Sequence, residues 1–284
     1  MPIDQDFEQE LEARVRQGSG SAAFGTDQEK RVQTRLWQER HETSFLDNVR
    51  RFVPDLVGAM VVEIGSGHGG KVVRLQQEEV TVVGIAFNPN NCHISRLRGM
   101  RYGLPNAVAN GAAETLPIRD DAADFVLTYE VLEHVFDPIK MLREMRRVLK
   151  PGGVAFITVH NRWTLFDHHF GLWGISFMPR GTADALLQRL GKGPFGRGSG
   201  VQSLSEMHYY SWRKFGAICR KLGFSITDVK EQKLLSGARL SVGPRALRPV
   251  LSLLRSAGVL PVIYRLSRGT FMGTFHVVLA NAGD

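Results

Sequence analysis

The sequence is poor in cysteine and contains no long apolar run. Its 284 residues include two cysteines, Cys92 and Cys219, which are too few for a disulfide framework and lack metal-ligand spacing. The longest apolar run near the C-terminus, in SAGVLPVIY, lies between Arg255 and Arg265, whereas a membrane-spanning helix needs roughly 20 apolar residues. The acidic start MPIDQDFEQELEARV does not resemble an export signal. We therefore expect a cytoplasmic protein.

Positive charge is scarce in the first half of the chain and abundant in the second. Residues 1–138 hold 14 Lys and Arg against 21 Asp and Glu, whereas residues 139–284 hold 22 against 7. The halves therefore carry −7 and +15, which sum to the net charge of +8. A basic half favours an anionic neighbour such as a membrane surface, a nucleic acid or a phosphorylated substrate. Scattered arginines are equally typical of an ordinary solvated face.

Short apolar runs alternate with helical patterns between residues 60 and 159. The runs MVVEI, VTVVGI, NAVAN, DFVLTY and VAFITV predict strands, and segments such as DPIKMLREMRRVLK predict the helices between them. This alternation predicts an α/β fold, with βαβ units around a mostly parallel sheet and helices on both faces. The run FMGTFHVVLA predicts a closing strand.

The pattern changes at both ends of this region. We expect residues 1–55 to form an N-terminal helical extension and residues 56–284 the main domain, with helical and aromatic insertions at 160–205 and 237–268. The aromatic segment Trp163–Phe177 is too apolar for an ordinary loop. It predicts either a lid at a membrane interface, with Arg162 and Arg180 on lipid phosphates, or a wall of the substrate pocket.

The stretch EIGSGHGG fits two nucleotide-binding patterns. Gly65, Gly67 and Gly70 match G-x-G-x-x-G, whose glycines let backbone N–H groups approach a pyrophosphate at a helix N-terminus. Gly65, Gly67 and Gly69 also match a pattern with an acidic residue two positions before the first glycine, here Glu63. That carboxylate would repel a pyrophosphate, and it suits a ligand with an ammonium and a sulfonium group. A tight turn without a ligand is the alternative.

Three segments in the same order resemble the class I S-adenosylmethionine-dependent methyltransferases of the type 11 group. They are VVEIGSGHGG, AETLPIRDDAADFVLTYEVLEHV and LREMRRVLKPGGVAFITV, and they cover residues 58–160. The resemblance implies a Rossmann-like seven-stranded sheet with an antiparallel last strand, and S-adenosyl-L-methionine bound over the carboxyl ends of the strands. The segments YEVLEHVFDP, NRWTLF and MPRGT are also similar to ubiquinone-pathway O-methyltransferases.

Two acids that this family customarily uses are alanines here. Ala86 stands where the resemblance implies a ribose-binding carboxylate, and Ala112 where it implies an aspartate near the adenine. Asn88, Asn90 or Asn91 could serve the ribose instead, and backbone N–H groups of residues 112 and 113 the adenine. A weakened or differently satisfied cofactor site is favoured over a relic fold without cofactor. The expected cofactor-binding residues are Glu63, Gly65, Gly67, Gly69, Asn88, Ala112, Ala113 and Tyr129.

A group of acids and histidines is expected to carry the chemistry. Glu130, Glu133 and His134 are spaced for one face of a helical turn after the fourth strand. The resemblance implies that these positions hold a divalent metal such as Mg²⁺; without metal, His134 is the expected general base. The expected catalytic residues are therefore His134, Glu133 and His160, and packing at the helix start is the alternative. The adjacent histidines in DHHF lack a supporting cluster and are not expected to bind metal.

These observations predict methyl transfer to an oxygen of a hydrophobic or lipid-linked small molecule, with possible attachment to the inner face of an anionic membrane. A non-catalytic binding protein with the same fold is one alternative. A nucleic-acid methyltransferase is another, and it is disfavoured because TYEVLEH replaces the Asn/Asp-Pro-Pro-Tyr/Phe element of base-amino methylation. No RNA-binding module is visible either, so we expect no nucleic-acid partner.

Overall fold

The computed structural model describes residues 5–19, 28–41, 44–52, 57–105, 107–192, 202–236, 253–254 and 256–281. The helices are α1 (Gln5–Ser19), α2 (Gln28–Leu36), α3 (Gln38–His41), α4 (Ser44–Phe52), α5 (Gly70–Gln77), α6 (Pro89–Met100), α7 (Pro138–Val148), α8 (Arg180–Arg189), α9 (Trp212–Lys221), α10 (Val229–Leu235) and α11 (Val259–Phe271). The strands are β1 (Met60–Ile64), β2 (Thr81–Ala86), β3 (Val108–Asn110), β4 (Ala123–Thr128), β5 (Leu149–His160), β6 (Phe166–Asp167), β7 (Leu172–Trp173), β8 (Phe224–Asp228) and β9 (Thr274–Asn281).

Seven strands form one sheet in the order β3-β2-β1-β4-β5-β9-β8. Strands β1 to β5 pair in parallel, and β9 runs antiparallel between β5 and β8. Six strands therefore point one way and the last strand points the other way. This confirms the predicted Rossmann-like sheet with an antiparallel last strand.

Helices cover both faces of the sheet, which is why its strands are almost continuously apolar. On one face Met145 of α7 and Phe215 of α9 pack into the core. On the other face Val49 of α4 and Val72 of α5 pack against the strands, together with Val229 of α10. With both faces covered, the carboxyl ends of the parallel strands are left as the place where a ligand can enter.

The N-terminal helices are held against α6 by a buried ionic network. Arg98 of α6 is fully buried, pairs with Glu39 of α3 and donates to the carbonyl of Leu36 at 2.9 Å. Arg101 pairs with the same carboxylate at 3.1 Å. The Arg98 Nε also donates to the carbonyl of His68, within the glycine-rich turn, at 2.9 Å. One buried guanidinium therefore connects the N-terminal helices to that turn.

The aromatic segment Trp163–Phe177 contains the hairpin β6–β7 and a short 3-10 helix. It leaves large apolar side chains on the surface: Trp163 is 43% exposed, Trp173 72% and Phe177 46%. Residues 237–252 and 255 of the second insertion lie outside the described residues, so the proposed domain boundaries stay predictions. No helix in the described part of the chain has both the length and the apolarity that crossing a bilayer requires.

The prediction of a helical turn directly after β4 is wrong. Residues 132–136 form turns and bends, and Glu130 has a left-handed backbone with a φ of +52°. The helix begins later because Asp137 caps it, accepting from the backbone N–H groups of Ile139 and Lys140, with Pro138 in the first turn. The acids and the histidine after β4 therefore do not lie on one helical face.

Candidate functional site

The glycine-rich turn joins β1 to α5 and is built from left-handed glycines. Gly65, Gly67 and Gly69 have φ values of +74°, +51° and +76°. A Cβ on Gly69 would lie 1.8 Å from the Oγ of Ser95, whereas a Cβ on Gly67 would meet no described residue within 4 Å. Glycine is therefore required at 69 for packing, while Gly67 borders open space at the carboxyl end of the sheet.

Glu63 lies in β1, two residues before the turn, and is 3% exposed. Its Oε1 is 3.9 Å from the Nζ of Lys71, and that ammonium lies 5.1 Å from the centre of the Tyr129 ring. The site thus places a buried carboxylate, an ammonium and an aromatic ring together. A buried carboxylate is stable only near positive charge, so this position attracts cationic groups.

The end of β2 has no carboxylate, as the sequence predicted, and its asparagines already have hydrogen bonds. Ala86 is buried in the core. The Oδ1 of Asn88 accepts from the backbone N–H of Asn90 at 2.9 Å and caps α6. The Oδ1 of Asn90 accepts from Arg14 at 2.8 Å. Of the three asparagines proposed for a ribose, two therefore have structural partners, and the assignment of Asn88 stays a prediction.

Phe87 is an exposed aromatic residue directly after β2, and it was not among the expected site residues. Its side chain is 69% exposed and meets the 82% exposed Phe136 edge to face, with ring centres 6.4 Å apart. The sequence feature that could have indicated Phe87 is the presence of an apolar residue directly after the end of a strand. Nearby, Ala112 is half-buried and Ala113 lies in the core, so only backbone groups of these two residues could serve a ligand.

An acid–histidine cluster lies where β4 and β5 end. The Nε2 of His160, the last residue of β5, is 2.5 Å from Glu130 Oε2 and 3.1 Å from Glu133 Oε1. One ligand atom from each of the three residues lies within 4.8 Å of the others, a spacing compatible with a metal ion. The sequence predicted Glu130, Glu133 and His134 as metal ligands. In the structure it is His160 that joins the two glutamates.

The charges within this cluster depend on one another. Burial alone would lower the pKa of His160, but hydrogen bonds and charges from Glu130 and Glu133 raise the pKa to about 10. Burial opposes the charge on Glu130, yet His160 lowers the pKa of Glu130 below its ordinary value. His160 is therefore an imidazolium between two carboxylates at neutral pH, and it does not act as a base there.

His134 has a defined tautomer. The side-chain amide of Gln202 donates through Nε2 to the His134 carbonyl at 3.1 Å, which turns its Oε1 toward the ring. That oxygen lies 2.6 Å from the Nδ1 of His134, so the proton of the neutral ring is on Nδ1. The Nε2 atom is then the proton acceptor, and it lies 3.7 Å from Glu133 Oε1.

Two further aromatic residues border the cluster and were not among the expected site residues. The ring of His169 lies 5.3 Å from that of His134 and 5.9 Å from that of His160. Tyr209 stacks on His160 with ring centres 5.0 Å apart. No sequence spacing links these residues, because His169 comes from the aromatic segment and Tyr209 from the residues before α9, which pair with the chain at the end of β5. His169 of the DHHF segment therefore borders the cluster, although it is not in the group whose ligand atoms converge there.

Residues 62–157 match the profile of a family described as "Methyltransferase domain". They span β1 to most of β5, and so include the glycine-rich turn and the acids after β4. This part of the chain is therefore similar to methyltransferase domains.

Two curated relatives are similar to part of this chain, and a solved structure shares its fold. A ubiquinone biosynthesis O-methyltransferase of Cereibacter sphaeroides is 32% identical over 133 residues, covering 45% of this chain and 53% of the relative. The enzyme of the same name from Xylella fastidiosa is 29% identical, covering 59% and 71%. The chain thus spans about half the length of the first of these relatives. An S-adenosylmethionine-dependent methyltransferase structure from Mesorhizobium loti has a TM-score of 0.54 at 16% identity, covering 84% of this chain and 99% of its own, and shows the shared fold.

The described residues around the glycine-rich turn are compatible with the methionyl end of S-adenosylmethionine. The family implies a ligand with an ammonium, a carboxylate and a sulfonium. Glu63 is a buried carboxylate, which suits an ammonium, and among the described residues the positive-φ turn borders open space beyond Gly67. The nucleoside end is less well provided for, since Ala86 brings no charge-assisted hydrogen bond. The residues present therefore fit the cofactor, with fewer anchors at the ribose.

Proposed function

We propose that the protein transfers a methyl group from S-adenosylmethionine to an oxygen of a hydrophobic or lipid-linked small molecule. One observation carries the proposal. His134 has a proton-accepting nitrogen, and it lies beside the cluster of His160, Glu130 and Glu133 at the ends of β4 and β5. The names of the ubiquinone-pathway relatives support oxygen as the methylated atom.

Glu63 and the backbone of Gly65, Gly67 and Gly69 would hold the methionyl end of the cofactor, with Tyr129 beside them. When bound, S-adenosylmethionine supplies an electrophilic methyl group on a good leaving group. The protein must then align the acceptor oxygen, exclude water and remove a proton from the hydroxyl.

His134 is the proposed general base. Its Nε2 takes the proton of the acceptor hydroxyl, and the imidazolium formed is stabilised by the carboxylate of Glu133 at 3.7 Å. The already charged His160 has a different role: its imidazolium offsets the negative charge that develops on the acceptor oxygen. Two histidines a short distance apart would thus act as base and as electrostatic stabiliser.

A divalent metal such as Mg²⁺ is a second candidate occupant of the cluster. Glu130, Glu133 and His160 would hold it, and two carboxylates with one imidazole suit such an ion. A bound metal would lower the pKa of a phenol or catechol hydroxyl. Binding requires His160 to lose its proton, so affinity should rise steeply with pH. Calorimetric titration with MgCl₂ at pH 7 and pH 9 tests this, with Glu133→Gln as the variant that should not bind.

Attachment to an anionic membrane surface is proposed for the aromatic segment and α11. Apolar side chains on both are exposed: Trp173 is 72% exposed, Ile263 44% and Leu266 81%. The surplus of positive charge in residues 139–284 supports an anionic surface. The test is sedimentation with phosphatidylglycerol vesicles. Trp173→Ser with Leu266→Ser should reduce binding, while Met100→Ser, which removes an exposed apolar side chain elsewhere, should not.

Cofactor binding distinguishes this proposal from a non-catalytic binding protein. Calorimetric titration of the full chain with S-adenosylmethionine should give saturable binding, and Gly67→Arg, which fills the open space above the turn, should abolish it. Absence of heat up to millimolar cofactor would favour the non-catalytic alternative.

Methyl transfer itself is tested with prenylated catechols, their unprenylated analogues and RNA as acceptors. Product should form with the catechols and more readily with the prenylated ones. His134→Gln should lower kcat about 100-fold. His168→Gln, which changes an exposed histidine of the aromatic segment, should leave kcat unchanged. Methylation of RNA alone would favour the nucleic-acid alternative.

A further inference from the structure

Two arginines of the 160–205 insertion lie close to the acid–histidine cluster, and no described carboxylate forms an ion pair with either of them. Arg162 follows the end of β5 by two residues, and Arg180 is the first residue of α8. The guanidinium of Arg162 covers the ring of Trp163 at 4.6 Å, and that of Arg180 covers the ring of Tyr209 at 4.9 Å. Both guanidinium groups are therefore held in place by aromatic rings, which is how proteins orient arginine for planar ligands.

Each of these arginines has a buried, unused donor. The Nη1 atoms of Arg162 and Arg180 are shielded from solvent and have no hydrogen-bond partner among the described residues. Neither Arg162 nor Arg180 forms an ion pair with any residue that the structure describes. Arg147 is the opposite case, since it pairs with Asp120 at 2.6 Å and with Glu144 at 2.7 Å. A shielded N–H group without a partner is costly unless a ligand accepts from it.

The carboxylates nearest to Arg180 are committed elsewhere. Asp167 accepts from the backbone N–H of His169 at 2.9 Å and from the hydroxyl of Ser176 at 3.2 Å. Asp184 accepts from the backbone N–H of Leu204 at 2.7 Å. Burial lowers the pKa of Arg180, and the positive charge of Arg162 lowers it further, against the opposing effect of these acids. Two cations therefore repel each other in a partly buried place.

The arginines are connected to the cluster by one aromatic ring. Tyr209 lies under the guanidinium of Arg180 and stacks on His160 with an interplanar angle of 21°. His160 in turn contacts Glu130 and Glu133. A small molecule that contacts Arg180 can therefore extend over one ring to reach the cluster.

We propose that Arg162 and Arg180 bind an oxyanion group, a carboxylate or a phosphate, that the methyl acceptor carries. This inference rests on the proposed function and deepens it: the acceptor is an anionic molecule whose hydroxyl lies about one ring away from its oxyanion. Guanidinium groups bind both oxyanions with paired hydrogen bonds. An oxyanion carried by the methyl acceptor is favoured over a lipid headgroup as the ligand. The reason is that the unused N–H donors are shielded from solvent, where a membrane surface would not reach them.

The test is calorimetric titration of the full chain with inorganic phosphate, and separately with sodium acetate, at constant ionic strength and without cofactor. We expect saturable phosphate binding by the wild type and at least tenfold weaker binding by Arg162→Gln and by Arg180→Gln. Arg189→Gln, at the exposed end of α8, is the matched control and should bind like the wild type. Melting temperatures without phosphate establish that each variant is folded.

Binding without saturation, or equal binding by all variants, would overturn the proposal. So would phosphatidylglycerol vesicle binding that depends on both arginines in the absence of phosphate binding, since the ligand would then be a lipid surface. Titration with S-adenosylmethionine is run in parallel on the same variants and should be unaffected. If the wild type does not bind S-adenosylmethionine, the proposed function is refuted. Phosphate binding that depends on the two arginines would still support an oxyanion site in that case.

Discussion

The side-chain oxygen of Gln202 lies 2.6 Å from the Nδ1 of His134 and thereby leaves Nε2 as the proton acceptor of that ring. Replacing Gln202 by Leu removes this control of the tautomer while keeping a side chain of similar size. We expect kcat for methyl transfer to fall about tenfold with little change in KM, because the misprotonated ring cannot accept a proton at Nε2. The measurement is steady-state kinetics across pH 6–9. Equal kcat in variant and wild type would mean that His134 is not the base.

Two neighbouring glycines should respond differently to alanine. At Gly67 the left-handed backbone costs about 1 kcal/mol of folding free energy, and the new methyl group enters open space. At Gly69 the same strain is joined by a clash with Ser95, where the Cβ would lie 1.8 Å from Oγ, so we expect a loss of about 3 kcal/mol. Urea unfolding measures both. Equal losses would mean that the turn rearranges around either methyl group.

Glu39 should be essential for stability although it is remote from the chemistry. Its carboxylate pairs with both Arg98 and Arg101, and Arg101 also pairs with Glu8, so Glu39→Gln leaves the buried guanidinium of Arg98 without a counterion. We expect a loss of about 3–5 kcal/mol in the free energy of unfolding. The matched control is Glu29→Gln in the exposed pair with Arg16, which should cause no measurable change. Similar stabilities of the two variants would contradict the role assigned to the buried network.

Acid should destabilise the protein through two buried histidines. Burial and nearby positive charges lower the pKa values of His68 and His276 from 6.5 to about 4. Between these pH values the unfolded chain binds more protons than the folded one, so stability falls as pH decreases from about 6.5 to about 4. Urea unfolding at pH 7, 5.5 and 4.5 measures the slope.

The double variant His68→Gln with His276→Gln should show a shallower loss than the wild type over this range. His41→Gln, which changes an exposed histidine of α3, is the control and should follow the wild type. An unchanged slope in the double variant would assign the acid sensitivity to other groups.

Much of the fold was predictable because local pattern and global structure agree. Apolar runs such as MVVEI and DFVLTY became β1 and β4, and glycines at 65, 67 and 69 formed the positive-φ turn. The expected helical turn at residues 130–134 failed because Asp137 and Pro138 are the stronger start signal. Spacing alone could not distinguish a helical face from a series of turns.

The candidate site was predictable only in part. Glu130 and Glu133 were expected together, and they are. Their contact with His160 depends on the pairing of β4 with β5, and the place of His169 depends on how the aromatic insertion folds back. The hydrogen bond from His134 to Gln202 joins residues 68 positions apart. No period along the sequence encodes such contacts.

The sequence by itself determined the order of strands and helices, the glycine turn with its upstream acid, and the loss of carboxylates at Ala86 and Ala112. These follow from local properties: side-chain period, backbone freedom and residue identity. Tertiary structure decided which histidine is a charged partner of the acids, which one can accept a proton, and which arginines have no ion pair with a described residue. Those properties depend on burial and on distances between segments, which arise only when the chain has folded.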